Sequence, residues 1–396
     1  MGRALAGLVA FFILISQTAR ADARVDAKTP HWHERSAELE KVFSALMEDV
    51  SEDARFNSPK NTHRIEEDAR KLSEFIGHPK GFKAESSSNV FDLSLPLISG
   101  YFRSEAQRAY QELKKGHREY SRSLLREVPN FCIGCHMRTG SGSIDSTHLV
   151  VKDPPANTKR IEKAEFLAAT HQFDRALSEL EGLISDSKKA SAFQLEWERA
   201  VRFALAITVR VKNDPALTLS VIEKVIQCAG APQFIKEDAL IWKKSVEQWK
   251  AEAPRKSNSE EALFSEAKRL ISDAYNLQRY RTDRASDILY LRASAATHEL
   301  LRIVPGTVHM GEALFILGAS YEAVHAQGLW SLQDLCYETC VRKVPHSEIA
   351  QACFRRFEES MFAGFSGSAG LSLPEDVKFR LTELKSLSEP AAPSTP

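Results

Sequence analysis

The chain lacks an excess of charge of either sign: 53 Lys+Arg stand against 53 Asp+Glu. That balance leaves no basic footprint of the kind that holds nucleic acid by its phosphates, so a nucleic-acid partner is excluded as an expectation. Long apolar runs are missing after the N-terminus, and so a membrane-spanning helix is not expected in the mature chain. Alternating apolar and polar stretches of strand length are also missing, which points away from sheet structure and towards helices throughout. Cysteine is scarce, with 6 in 396 residues; in an exported chain these invite a disulfide reading, but the spacing of two of them says otherwise.

What is present begins at the N-terminus. Met1-Gly2-Arg3 precedes an apolar stretch from Ala4 to Ile15, followed by the small-residue pattern Ala19-Arg20-Ala21. This is the layout of a secretory signal peptide over 1–21, cleaved before Asp22. Its removal takes Arg3 and Arg20 and no acid, leaving 51 Lys+Arg against 53 Asp+Glu. The expected location is periplasmic, and the remaining length holds two or three cores.

Two of the cysteines stand in Cys132-Ile133-Gly134-Cys135-His136. C-x-x-C-H is the attachment signature of c-type haem. Two thiols one helical turn apart can add to the two haem vinyl groups, while the adjacent imidazole reaches the iron. A zinc half-site would need a second Cys/His pair at ligand spacing, and no convincing one is present. The motif occurs once, so one covalently attached haem c, with its iron, is the expected cofactor. Val341 rather than His follows Cys340, so Cys336 and Cys340, at i and i+4 of one predicted helix, form no second haem site. With Cys353 on the next helix they read equally as a disulfide between helices or as buried thiols. Cys228 reads as a lone core thiol.

Upstream of the motif, apolar periodicity predicts four helices: A over about 32–52 (Leu39, Val42, Phe43, Leu46, Met47, Val50), B over 62–76, C over 89–115 with a disturbance at Pro96, and D from His117 to Glu127, delivering the motif after Pro129. Four amphipathic helices joined by short connections suggest a bundle with a cofactor in its core. Over roughly 32–138 this unit, with C-x-x-C-H at the end of its last helix, resembles the cytochrome c-prime family. The resemblance implies haem packed between the helices and His136 as proximal ligand. This chain departs from the family where Met137-Arg138-Thr139-Gly140 ends the last helix early.

The family comparison makes Met47 the candidate second axial ligand, because some relatives place a Met thioether on that stripe and others an apolar residue that does not ligate. Ligation would raise the potential and suit electron transfer, whereas an open face would admit small gases. Plain core packing is the competing reading of Met47. His31, His33, His63 and His117 are weaker distal candidates, each read more simply as solvated or near a helix end. Arg138 reads either as a propionate partner or as a solvated loop residue.

Residues 139–157 have linker composition. Beyond them, helix-length amphipathic segments recur. Ala164, Leu167, Phe173, Ala176 and Leu180 fit a helix pair, and Leu314-x-x-Leu317-Gly318-x-x-Tyr321, closed by Pro345, fits the first helix of a repeat more closely. The stretch 158–385 thus resembles tetratricopeptide repeats, which stack into a superhelix with a concave, protein-binding surface; a helical cap packed on the bundle is the plainer alternative. Phe365 to Gly370 reads as a Gly/Ser connector and 386–396 as a disordered tail.

The expectation is therefore an all-α chain: signal peptide 1–21, a four-helix haem-binding bundle over 22–138, a linker or haem-edge loop over 139–157, repeats over 158–385 and a tail. Functionally it is an exported mono-haem electron carrier whose repeats dock a redox partner protein. The alternatives are a gas-binding or sensing haem protein with five-coordinate iron, or a repeat scaffold in which haem is structural. No second haem and no Ser/His/Asp cluster suggests an enzyme.

Overall fold

A computed structural model describes residues 30–75, 94–137, 153–154, 158–324 apart from 254, 256 and 281, and 332–390. The expected signal peptide, Arg138, nearly all of the expected linker and the last six residues lie outside that set.

The chain is helical throughout the described residues, apart from one hairpin of two-residue strands. The first part comprises α1 (Pro30–Ser51), α2 (Asp53–Phe56), a 3-10 turn (Pro59–Asn61), α3 (Thr62–Phe75), α4 (Ser94–Lys114), α5 (Arg118–Arg126) and α6 (Val128–His136). The helix expected over 32–52 is α1, and that over 62–76 is α3. Pro96 lies in α4, and residues 89–93 of the helix expected over 89–115 lie outside the described set. The helix expected to continue from His117 into the haem motif is instead two. α5 ends at Arg126 and α6 begins at Val128 with Pro129 in its first turn, so the proline starts the motif helix. Gly116, at φ +85, makes the turn between α4 and α5. Its N–H bonds Leu113 O and that of His117 bonds Glu112 O, closing α4 with the paired bonds of a left-handed cap.

These helices pack α1 against α3 and α5, α3 against α4, and α4 against α5 and α6. Leu46, Phe56, Ile65, Ala69, Leu72, Ala109 and Leu125 are fully buried between them. The Asp49 carboxylate is buried with them and is held by Arg64 at 2.7 Å and Arg55 at 3.4 Å.

The second part runs α7 (Arg160–Ala169), α8 (Phe173–Ile184), α9 (Ser187–Ala192), α10 (Gln194–Ala206) with a π-helical extension over Ile207–Val211, α11 (Pro215–Gln227), α12 (Gln233–Ala251), α13 (Glu260–Leu277), α14 (Asp287–Ile303), α15 (Met310–Val324), α16 (Leu332–Lys343), α17 (Glu348–Gly364), strands β1 (Ser366–Gly367) and β2 (Gly370–Leu371), and α18 (Glu375–Ser388). Local chemistry starts several of them. Asp186 accepts from the backbone N–H of Lys188 and Lys189, Asp214 precedes Pro215 and accepts from Ala216 and Leu217, and Ser259 and Ser347 cap α13 and α17. α18 runs through Ser388, into the stretch expected to be tail. The expected connector near Gly367 closes as the antiparallel β1–β2 hairpin.

Sequence neighbours pack on one another: α7 on α8, α11 on α12, α13 on α14, α14 on α15, α15 on α16 and α16 on α17. Gly318 shows why. A Cβ there would run into the ring of Tyr337 on α16, so only glycine lets α15 and α16 approach this closely. Cys340 on α16 and Cys353 on α17 are joined by a disulfide, while Cys336 and Cys228 are buried.

One hydrophobic core crosses the expected linker. A single cluster takes Val42, Phe43, Leu46 and Ile133 from the first part and Phe166, Leu167, Leu180 and Trp197 from the second. Among the described residues, no helix is long and apolar enough to cross a membrane.

Candidate haem attachment site

α6 places positions 132, 135 and 136 at i, i+3 and i+4, which fall on one face of an α-helix. The helix is fixed on both sides of that face. Ile133 and Met137 are buried, and Phe131 stacks on Phe102 of α4 with centroids 5.5 Å apart and planes within 2°. At its N-terminal end Asn130 donates to Glu127 at 2.6 Å. The Cys132 side chain is half-buried against the main core.

His136 closes α6 and meets the end of α7. Its Nδ1 is buried and has no hydrogen-bond partner among the described residues. Burial drives the imidazole pKa down to about 3, the neighbouring His171 adds to the shift, and hydrogen bonding to the carbonyls of Ala169 and Ala168 opposes it. The ring is therefore neutral at every physiological pH, as a metal-ligating imidazole must be. A ring nitrogen sequestered without a partner, beside backbone carbonyls that orient the ring, is the donor arrangement an axial haem ligand needs. These residues fit the group.

His171 is the residue that the sequence analysis missed. Its ring stacks on that of His136, with centroids 3.6 Å apart and planes 26° apart. It follows the C-terminus of α7 with φ +60, held by His171 N–H to Ala168 O at 3.1 Å and Gln172 N–H to Leu167 O at 2.7 Å. That pair is a Schellman cap, whose left-handed position glycine or asparagine usually fills; a β-carbon there costs about 1 kcal/mol. The signal available in Thr170-His171-Gln172 was only that of a turn.

Met47 is buried in α1. It lines a separate cleft of about 630 Å³ between the two parts, together with Val50, Arg122, Arg126, Glu165 and Arg199. One ion pair joins the two parts there, Arg126 to Glu162 at 3.1 Å, and Arg199 pairs with Glu165 at 2.6 Å within the second part. Burial lifts Glu165 to about 7, against the pull of Arg199. His63 is exposed, and His117 is exposed beside Glu112 at 2.7 Å. His31 and His33 lie in α1. Among the described residues no three His, Cys, Asp or Glu side chains converge to hold a metal ion.

No protein-family model matches the chain, and no curated protein and no solved structure shows significant similarity to it.

Proposed function

We propose that this chain is an exported, mono-haem c-type cytochrome that carries electrons, with Cys132 and Cys135 as thioether attachment points and His136 as iron ligand. The observation that carries this reading is one turn of α6: C-x-x-C-H on one helical face, ending in a neutral imidazole whose buried Nδ1 has no partner among the described residues. When bound, the haem supplies a one-electron iron couple. The chain's own work is to hold His136 neutral, to orient its ring with the α7 carbonyls, and to cover α6 with Phe102 and the core of α1, α4 and α7. The Cys340–Cys353 disulfide is compatible with the oxidising compartment that an exported protein meets. α7 to α18, read as tetratricopeptide-like repeats, serve as the docking module for a redox partner protein.

A gas-binding protein is the second reading. It is favoured by the position of Met47, whose cleft is lined by residues of α1, α5, α6, α7 and α10, with His136 not among them.

The test is the absorption spectrum of the reduced full-length protein with and without carbon monoxide. A c-type α-band unchanged by carbon monoxide supports an electron carrier with six-coordinate iron. Rapid carbon monoxide binding moves the assignment to gas binding, and absence of a haem spectrum after export removes both.

A further inference from the structure

The haem reading uses α6 alone, yet the imidazole of His136 is gripped by a turn that belongs to the other part of the chain. We propose that His171, in the turn between α7 and α8, is a positioning residue that fixes the plane of the His136 imidazole and so ties the iron's electronic properties to the helical array that follows. This inference rests on the haem reading.

Three observations converge on it. The two rings are in face-to-face contact, at 3.6 Å between centroids. The His171 ring is itself backed by Phe173 in an edge-on contact with centroids 6.0 Å apart and planes at 86°. Its backbone is locked by the two capping hydrogen bonds that hold φ at +60. A side chain with both its backbone and its outer edge held cannot swing away from the ring it covers. The carbonyls of Ala169 and Ala168, in the last turn of the same α7, hydrogen-bond the same imidazole. One helix end therefore supplies a wall and an acceptor to His136, which removes its freedom to rotate about its own side-chain axis. Ring orientation and ligand basicity are the levers by which groups beyond the ligand tune a haem iron. A displacement of α7 and α8, such as partner docking on the helical array would cause, would reach the iron through this contact.

The experiment uses the exported full-length chain in three forms: wild type, His171→Asn, which keeps a residue tolerant of the left-handed backbone but removes the ring, and His171→Phe, which keeps a ring. Covalent haem is first verified by mass; its absence from wild type would overturn the haem reading and this inference with it. In haem-loaded protein, the expected result is a several-fold change in the reduced-to-oxidised ratio of His171→Asn, poised at the wild-type midpoint potential. Altered g-anisotropy of the oxidised iron should accompany it, with His171→Phe close to wild type on both readouts. Asn and wild-type proteins indistinguishable on both would overturn the positioning role while leaving the haem reading intact. Loss of a low-spin spectrum in both variants would also overturn it, by making His171 an iron ligand. If His171→Asn does not accumulate, Phe173→Leu, which removes the edge-on support, should shift both readouts in the same direction; no shift there overturns the proposal.

Discussion

Phe43 of α1 and Phe166 of α7 stack with ring centroids 5.7 Å apart and planes 15° apart. Both rings are buried, and they join the helices that precede the haem motif to those that follow it. A chain built this way has one core on both sides of residues 139–157. Phe166→Ala leaves a cavity in that core and should cost about 3–5 kcal/mol. Denaturant unfolding followed by far-UV dichroism and by tryptophan fluorescence should show a single coincident transition moved to lower denaturant. Two separated transitions, only one of them moved, would show that the halves unfold independently.

How much of this was legible in sequence differs from element to element. The stripe Leu39 to Val50 predicts α1 almost to the residue, because an amphipathic helix needs only its own periodicity. Pro129, after which the sequence places the motif, stands in the first turn of α6 and starts that helix. The haem motif was legible because its chemistry is local, three residues within one turn. His171 was not, since its meaning lies in a contact across 35 positions of chain and its local pattern is that of any helix end. Gly318 was noticed for its spacing in Leu314-x-x-Leu317-Gly318-x-x-Tyr321, yet its reason, the ring of Tyr337, lies on another helix.

That close approach makes Gly318→Ala a probe of the α15–α16 interface. The added methyl meets a Tyr337 ring that is fully buried and donates to Glu322 at 2.9 Å, so the ring has no free space to yield. A loss of about 1–3 kcal/mol is expected, and combining it with Tyr337→Leu should cost less than the sum of the two single changes. Additive losses in the double-mutant cycle would show that the two positions do not touch.

The Cys340–Cys353 bond closes a short loop, with a sequence separation of 13. Cross-links over loops of this size are worth about 3 kcal/mol through the entropy of the unfolded chain. Cys353→Ala should therefore lower the thermal midpoint, and a thiol reductant should lower that of wild type without affecting the variant. A reductant-insensitive wild type would mean that the bond is not formed.

Stability should also depend on the charge of Asp287. This carboxyl is buried at the start of α14, its Oδ1 without a partner among the described residues, and burial raises its pKa from 3.8 to about 7 despite Arg284 and Arg202, with Asp238 and Asp283 adding to the rise. Between those two values the unfolded chain has released the proton and the folded chain still holds it, so stability falls as pH rises from about 4 to about 7 and levels off above. At roughly 1.4 kcal/mol per unit the penalty is on the order of a few kcal/mol. Asp287→Asn should flatten that part of the stability–pH curve and raise stability at pH 8 more than at pH 4. An unchanged slope would place the dependence elsewhere.

The measurement that bears most directly on the account is the mass of the exported protein after acid-acetone extraction, for wild type and for Cys132→Ala/Cys135→Ala. Haem bound through two thioethers survives extraction, so wild type should keep the mass of one haem, and the double variant should lose it while retaining its helical dichroism. A wild-type chain that emerges from extraction at the mass of the polypeptide alone would contradict the reading of Cys132, Cys135 and His136.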